Sequence, residues 1–168
     1  VPDLLNAREM RRFGEEVQTY RSELYKRDYL PRVKPFFDVR LLFQRLRDRG
    51  IVMALASSSN PDEVEYYTRL LGVADLLQAS TSKKDAAWSK PSPEIFQAAL
   101  ERLGTGGART LAVGDTPYDA LAAHRVPLAV GAVLSGGFPP ELLAQAEFVF
   151  DSVPHLEREI EIIDVYFS

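Results

Sequence analysis

Short apolar runs alternate along this chain with segments of helical periodicity, and this alternation limits the possible folds more than any other feature. Four runs are apolar almost throughout: 51–56, 109–113, 128–133 and 148–150. Strands of this kind are usually buried on both faces, as in parallel sheets that helices cover. The sequence therefore predicts an α/β fold with a Rossmann-like, doubly wound parallel sheet.

The segments between the runs carry the signals of helix ends. Helices predicted over 41–49, 61–71 and 93–103 are each followed directly by glycine, the residue usual at a left-handed helix cap. Proline stands at the start of the second and third of these helices, where it is well tolerated. Because ligands of open α/β sheets bind at the carboxyl ends of the strands, functional side chains are expected there.

The first 33 residues follow a different pattern from the rest of the chain. Apolar residues that share one helical face recur there every three or four positions: Met10, Phe13, Val17, Tyr20 and Leu24. Pro31 and Pro35 then interrupt the helical pattern. We predict a helical segment over 1–33 ahead of an α/β core over 34–168.

Composition restricts the class of partner. The net charge of −4 and the pI near 5.3 argue against nucleic-acid binding, which usually needs a basic face. The chain has no cysteine, which suits a reducing compartment and excludes thiolate chemistry. No apolar run approaches the roughly 20 residues of a membrane span. We expect a cytoplasmic protein with no nucleic-acid and no membrane partner.

Two of the polar segments that follow apolar runs suit an anionic ligand. In ALASSSN, Ser57 and Ser58 offer hydroxyl and N–H groups just before a helix, an arrangement that favours phosphate. Alternatively, Ser59 or Asn60 only caps that helix. In WSKPSPEIF, prolines stiffen the loop that carries Lys90; alternatively, this lysine is a solvated surface residue.

The third segment, VGDTPYDA, places Asp115 at the exit of a strand and Asp119 one helical turn later. Hard oxygen ligands on such a loop suit Mg²⁺. Alternatively, Asp115 caps the next helix and Asp119 is favourable in its first turn. Together the three segments offer a phosphate cradle, a positive charge and metal-binding carboxylates, which are the parts of a phosphoryl-transfer site.

In their order, ALASSSN, SKPSPEIF and VGDTPYDA resemble the second, third and fourth motifs of the haloacid dehalogenase superfamily, in its phosphoglycolate-phosphatase-like and β-phosphoglucomutase-like branch. The resemblance runs from about Tyr29 to about Leu156 and includes GAVLSGGFPPELL. It implies a Mg²⁺-dependent phosphatase for a small phosphorylated metabolite, active as a monomer or homodimer. It also implies that residues 1–33 are part of a helical cap.

The resemblance implies a role for each candidate residue. Ser57 and the N–H of Ser58 would bind phosphoryl oxygens. Lys90 would pair with the nucleophile and with the phosphoryl group. Asp115 would hold Mg²⁺ directly or through water, and Asp119 would support the metal shell or steady Lys90.

The first motif of the family, Asp-x-Asp-Gly-Thr, does not occur in these 168 residues. It supplies the nucleophilic aspartate that becomes the aspartyl-phosphate, so we expect it N-terminal to Val1 and expect the chain alone to be inactive. EIIDVYFS contains Asp164 but lacks the second acid and Gly-Thr, which makes circular permutation a poor alternative. A phosphosugar mutase, a dehalogenase and a catalytically silent binding module stay open.

Overall fold

The structure, a computed structural model, describes residues 6–161 and 166, so the predicted look-alike at Asp164 lies outside the described residues. The chain divides into two compact units, Val1–Pro35 and Phe36–Ser168. That the first unit forms part of a cap stays a prediction. In the part of the chain that is described, no helix is long and apolar enough to cross a membrane.

The first unit is helical, as its periodicity predicts. Helix α1 spans Ala7–Leu24 and continues as a π-helical turn at Tyr25–Tyr29 and a 3-10 turn at Leu30–Arg32. A capping box fixes the start of α1: Asn6 Oδ1 accepts from the Glu9 N–H at 3.0 Å, and the Glu9 carboxylate accepts from the Asn6 N–H at 2.9 Å. The α-helix therefore begins at a polar cap and ends ahead of Pro31.

The second unit alternates helices and short strands. Its helices are α2 Val39–Asp48, α3 Pro61–Leu71, α4 Glu94–Leu103, α5 Pro117–His124, α6 Pro140–Leu143 and α7 Val153–Arg158. Its strands are β1 Ala54–Ala56, β2 Ala79–Thr81, β3 Leu111–Gly114, β4 Ala129–Val133 and β5 Phe148–Phe150. Short 3-10 turns lie at Lys83–Asp85, Gly107–Arg109 and Leu134–Gly136.

All strand pairs are parallel, which confirms the predicted α/β fold class. Strand β1 pairs with β2, with Ala54 opposite Ala79, while β3, β4 and β5 pair in that order. Gly114, the last residue of β3, lies opposite Ala132 of β4. Among the described residues β1 and β3 do not pair with each other, so each has one open edge.

The helix ends agree closely with the sequence signals. Helix α3 has the predicted bounds, and α2 and α4 differ from theirs by one or two residues. Gly72 and Gly104 follow α3 and α4 with φ of 64° and 66°, the left-handed conformation that glycine adopts without strain. The helices are therefore set by local signals that can be recognised in the sequence.

The strands differ more from the prediction. The strand predicted over 51–56 begins only at Ala54, because the Met53 N–H donates to the side-chain Oε1 of Gln78 at 2.6 Å rather than to another strand. The strand predicted over 109–113 begins at Leu111, after a 3-10 turn. Strand β2 was not predicted, because its sequence AST contains no apolar run. Among the described strands it pairs with β1.

The largest core cluster joins buried residues of α4 and α5 to residues in or next to β3 and β4. Its buried members are Ile95, Phe96, Ala112, Ala120, Ala122, Ala123, Leu128 and Val130. The alanines on α5 have small side chains, so this helix can lie close to the sheet. The cluster thereby fixes α5, which carries Asp119, against the end of β3.

The core position with the clearest expected effect is Ile95, whose side chain is fully buried at 0% exposure. We expect Ile95→Ala to lower the free energy of unfolding by about 3 kcal/mol, because the substitution removes buried methyl groups and leaves a cavity. Leu142→Ala on α6, where the side chain is 52% exposed, should change it by less than about 0.5 kcal/mol. Urea unfolding measures both; equal losses would contradict this assignment of the core.

Candidate active site

The segment after β1 brings Ser57 to the carboxyl end of a strand. The N–H of Asn60 donates to the Glu63 carboxylate at 3.3 Å, and this pair organises the first turn of α3. Ser57 takes no part in that pair; its Oγ accepts from the N–H of Ser59 at 3.1 Å. Asn60 is therefore the residue that caps α3, and Ser57 has no part in that cap.

Ser58 lies beside Ser57 and is partly buried. Its Oγ is shielded from solvent and has no hydrogen-bond partner within the described residues. A buried hydroxyl without a partner destabilises the protein by roughly 1–3 kcal/mol. An additional ligand atom near this hydroxyl would remove that penalty.

Lys90 joins the two strand ends. Its Nζ donates to the carbonyl oxygen of Ala56 at 2.9 Å and to Oδ1 of Asp119 at 2.8 Å. The ammonium also lies 5.0 Å from the centroid of the Phe96 ring, and the side chain is only 20% exposed. Lys90 is therefore not a solvated surface lysine.

The loop that carries Lys90 is held by two contacts. Oε2 of Glu94 accepts from the N–H groups of Ala87 at 2.6 Å and Trp88 at 3.1 Å. Arg125 Nη1 donates to the carbonyl oxygen of Pro91 at 2.7 Å. These contacts restrict the loop on both sides of the lysine.

Both carboxylate oxygens of Asp119 have partners. Oδ1 accepts from Lys90, and Oδ2 accepts from Thr116 Oγ1 at 2.7 Å, from the Thr116 N–H at 3.0 Å and from the Asp115 N–H at 3.3 Å. Burial raises the pKa of Asp119, but the charge of Lys90 and these hydrogen bonds outweigh it, so the pKa lies below its usual value. Asp119 is thus held as a carboxylate.

Asp115 differs from Asp119 in its surroundings. Thr116, not Asp115, is the N-cap residue of α5, which rules out the capping alternative for Asp115. Burial, and next the charge of Asp119, raise the pKa of Asp115, and Lys90 offsets this only in part. In residues 6–161 and 166 the Asp115 carboxylate has no salt-bridge partner.

The structure therefore brings Lys90, Asp119 and Asp115 together and places Ser57 directly after the residue whose carbonyl oxygen Lys90 contacts. Two carboxylates and one ammonium leave this cluster with a net negative charge. A cluster of this charge favours a cation beside Asp115, while Lys90 and the N–H groups after β1 favour an anion.

Two residues of the site were not predicted. Thr116 forms a capping box with Asp119, and the sequence TPYD carries the signal for it, a threonine followed three residues later by an acid. Gly136, after β4, lies against the Asp115 side chain, and a methyl group added at Gly136 would lie 2.5 Å from Asp115 Oδ2. The pair of glycines in LSGGF indicates a tight approach but does not name its partner.

The sequence matches a known family model and several curated proteins. A family model described as a haloacid dehalogenase-like hydrolase matches residues 7–126. The chain is 28% identical over 132 residues to a putative pyrophosphatase PpaX of Clostridium perfringens, covering 79% of this chain and 60% of that protein. It is 29% identical over 133 residues to haloacetate dehalogenase H-2 of Moraxella sp., covering 77% and 59%. The chain thus spans about 60% of the length of these curated relatives.

Solved structures show the same fold. A hydrolase from Pseudomonas syringae superposes with a TM-score of 0.79 at 21% identity, over 96% of this chain and 73% of that one. A β-phosphoglucomutase from Clostridium difficile superposes with a TM-score of 0.71 at 21% identity, over 96% and 70%. These likenesses concern the fold, while the family model extends over most of the sequence. The chain therefore belongs to the haloacid dehalogenase-like hydrolases.

Proposed function

We propose that the complete protein is a Mg²⁺-dependent phosphatase that hydrolyses a phosphoric monoester through an aspartyl-phosphate. The nucleophilic aspartate is contributed by a segment outside these 168 residues. The observation that supports this most is the position of Lys90, whose ammonium contacts both the end of β1 and Asp119. A fixed positive charge between two strand ends is suited to the charge that develops on a transferring phosphoryl group.

Each remaining residue has a role in this proposal. The Ser57 hydroxyl and the Ser58 N–H bind phosphoryl oxygens at the amino end of α3, where the helix dipole favours an anion. Asp119 steadies Lys90 and does not bind the metal directly, since both of its oxygens already accept hydrogen bonds. The resemblance implied that Asp119 supports the metal shell or steadies Lys90, and the hydrogen bond from Lys90 supports the second of these roles.

Asp115 is the residue of this chain that fits a metal ion. Mg²⁺ binds through one or two carboxylates and takes its other oxygens from water and phosphate. The Asp115 carboxylate is a hard donor whose ionised form is disfavoured by burial, so a cation would stabilise it. Among the described residues no three His, Asp or Glu side chains form a metal site, so the other ligands come from elsewhere. When bound, Mg²⁺ neutralises charge on the phosphoryl oxygens.

The open edges of β1 and β3 support a nucleophile from another segment. A strand that pairs with these parallel edges would deliver the residue at its carboxyl end to the level of Ser57 and Asp115. An aspartate there would lie beside the Lys90 ammonium. Attack by its carboxylate on phosphorus would break the bond to the alcohol oxygen, and the alcohol would leave with a proton from a general acid. Attack by water on the phosphorus of the acyl-phosphate would then give a proton to a base, release inorganic phosphate and regenerate the carboxylate.

A dehalogenase is the second candidate, because a relative of similar identity carries the name haloacetate dehalogenase. A bound cation would stabilise the ionised form of Asp115, which burial and the Asp119 charge disfavour. This supports the metal-dependent phosphatase over the dehalogenase. A phosphosugar mutase would use the same phosphoryl chemistry with a second phosphorylated sugar. A silent binding module would have no need of the Lys90 network.

The test uses the complete product of the gene that encodes this chain. We expect it to hydrolyse p-nitrophenyl phosphate with Mg²⁺ and to lose at least about 100-fold of that rate with excess EDTA. The 168-residue chain alone should be inactive. Halide release from haloacetate without phosphate-ester hydrolysis would favour the dehalogenase, and absence of both activities would favour the binding module.

A further inference from the structure

The 3-10 turn Leu134–Gly136 lies over the Asp115 side chain. It follows β4, the neighbour of β3 in the sheet, and therefore reaches the same end of the sheet as Asp115. A methyl group at Gly136 would lie 2.5 Å from Oδ2, 2.6 Å from Cβ and 2.7 Å from Cγ of Asp115. Gly136 thus lies so close to the Asp115 side chain that no β-carbon fits between them.

The need for glycine at this position comes from the contact and not from the backbone. Gly137 has φ of 81°, which disfavours other residues, yet a methyl group there would meet nothing within 4 Å. Gly136 is not among the residues with positive φ. Carbon atoms normally approach to about 3.5–4.0 Å, so an alanine at Gly136 would displace Asp115 by about 1 Å.

We propose that Gly136 is a positioning residue that fixes the Asp115 carboxylate for a divalent cation. This inference rests on the proposed function for the cation, but the contact itself can be tested without it. Oδ2 is the atom nearest to the added methyl group, so the displacement acts on the carboxylate itself as well as on its Cβ. Changes to residues that orient a metal ligand typically weaken metal binding 10- to 100-fold.

Gly136→Ala in the complete gene product is the first test, with Gly106→Ala as the matched control. A methyl group at Gly106 would meet nothing within 4 Å, and its φ of −83° suits alanine. We expect Gly136→Ala to weaken Mg²⁺ binding about 10- to 100-fold in a calorimetric titration and to change the carboxyl chemical shift of Asp115 in carbon NMR of the metal-free protein at neutral pH. Gly106→Ala should change neither.

A double-mutant cycle separates the contact from a general loss of structure. Asp115→Gly removes the atoms that clash, so Gly136→Ala should lower Tm much less in that background than in the wild-type chain. If Gly136→Ala alone does not fold, the double variant Asp115→Gly/Gly136→Ala should fold. Equal losses in both backgrounds, or a double variant that fails to fold while Asp115→Gly folds, would overturn the proposal.

Failure of this inference can be told from failure of the proposed function. If the wild type binds Mg²⁺ and hydrolyses phosphate esters while Gly136→Ala matches Gly106→Ala, the positioning role is wrong and the phosphatase stands. If the wild type neither binds Mg²⁺ nor hydrolyses the ester, the function is wrong. The double-mutant cycle and the carboxyl chemical shift of Asp115 then still decide whether Gly136 positions this carboxylate. A cycle that shows no coupling would reject the positioning role as well.

Discussion

Lys90→Met in the complete gene product is expected to lower kcat/KM for p-nitrophenyl phosphate by about 1000-fold or more. Methionine keeps the length and apolar stem of the side chain but removes the positive charge at the two strand ends. Groups that stabilise developing charge in enclosed sites contribute about 100- to 1000-fold each, and cations on phosphoryl groups contribute more. The measurement is steady-state hydrolysis at saturating Mg²⁺.

The same substitution is expected to destabilise the fold. Asp119, whose side chain is 10% exposed, would lose its only described ion-pair partner while its carboxylate stays buried. Removing one partner of such a pair destabilises by about 3 kcal/mol, less here because Lys90 itself is partly exposed. Urea unfolding of the metal-free protein measures this change.

Two further variants distinguish the role of Lys90 from a general effect of lost charge. Lys83→Met, on an exposed 3-10 turn, should leave both hydrolysis and stability nearly unchanged. Adding Asp119→Asn to Lys90→Met should destabilise less than the two single losses summed, because the partners interact directly. Hydrolysis by Lys90→Met within tenfold of the wild type would contradict the proposed role.

Most of the fold is encoded by local signals that can be read from the sequence. The apolar runs and the glycine-ended helices predicted the α/β class, because each signal acts within a few residues. Strand β2 could not be predicted, because its residues Ala79, Ser80 and Thr81 show no apolar pattern. Their strand conformation depends on pairing with β1, a contact between segments some 25 residues apart in sequence that no local pattern reports.

The candidate site divides in the same way. Asp115 and Ser57 could be located because strand ends are recognisable and ligands bind there. Which of Asp115 and Asp119 pairs with Lys90 could not be predicted. The pairing depends on which carboxylate the Lys90 side chain reaches in the folded core. The contact of Gly136 likewise depends on β4 lying beside β3.

Asp115→Asn is expected to change activity and stability in opposite directions. Hydrolysis should fall by about 1000-fold or more, because the amide is a poor replacement for the metal-binding carboxylate. The free energy of unfolding of the metal-free protein should rise, because burial and the Asp119 charge both disfavour the ionised Asp115. Mg²⁺ should raise the Tm of the wild type and leave that of the variant unchanged.

The pH dependence of stability tests this assignment without any enzyme assay. Because the pKa of Asp115 is raised by folding, its ionisation destabilises the folded chain only as pH rises from the unfolded value near 3.9 through the folded pKa. The gain from Asp115→Asn should therefore be absent well below the unfolded pKa and complete above the folded pKa. Asp119→Asn is the matched control of opposite sign: folding lowers the pKa of Asp119, so its contribution is present above pH 3.9 and is lost as pH falls. If both asparagine variants destabilise the protein at pH 7, the proposal that Asp115 binds the cation is wrong.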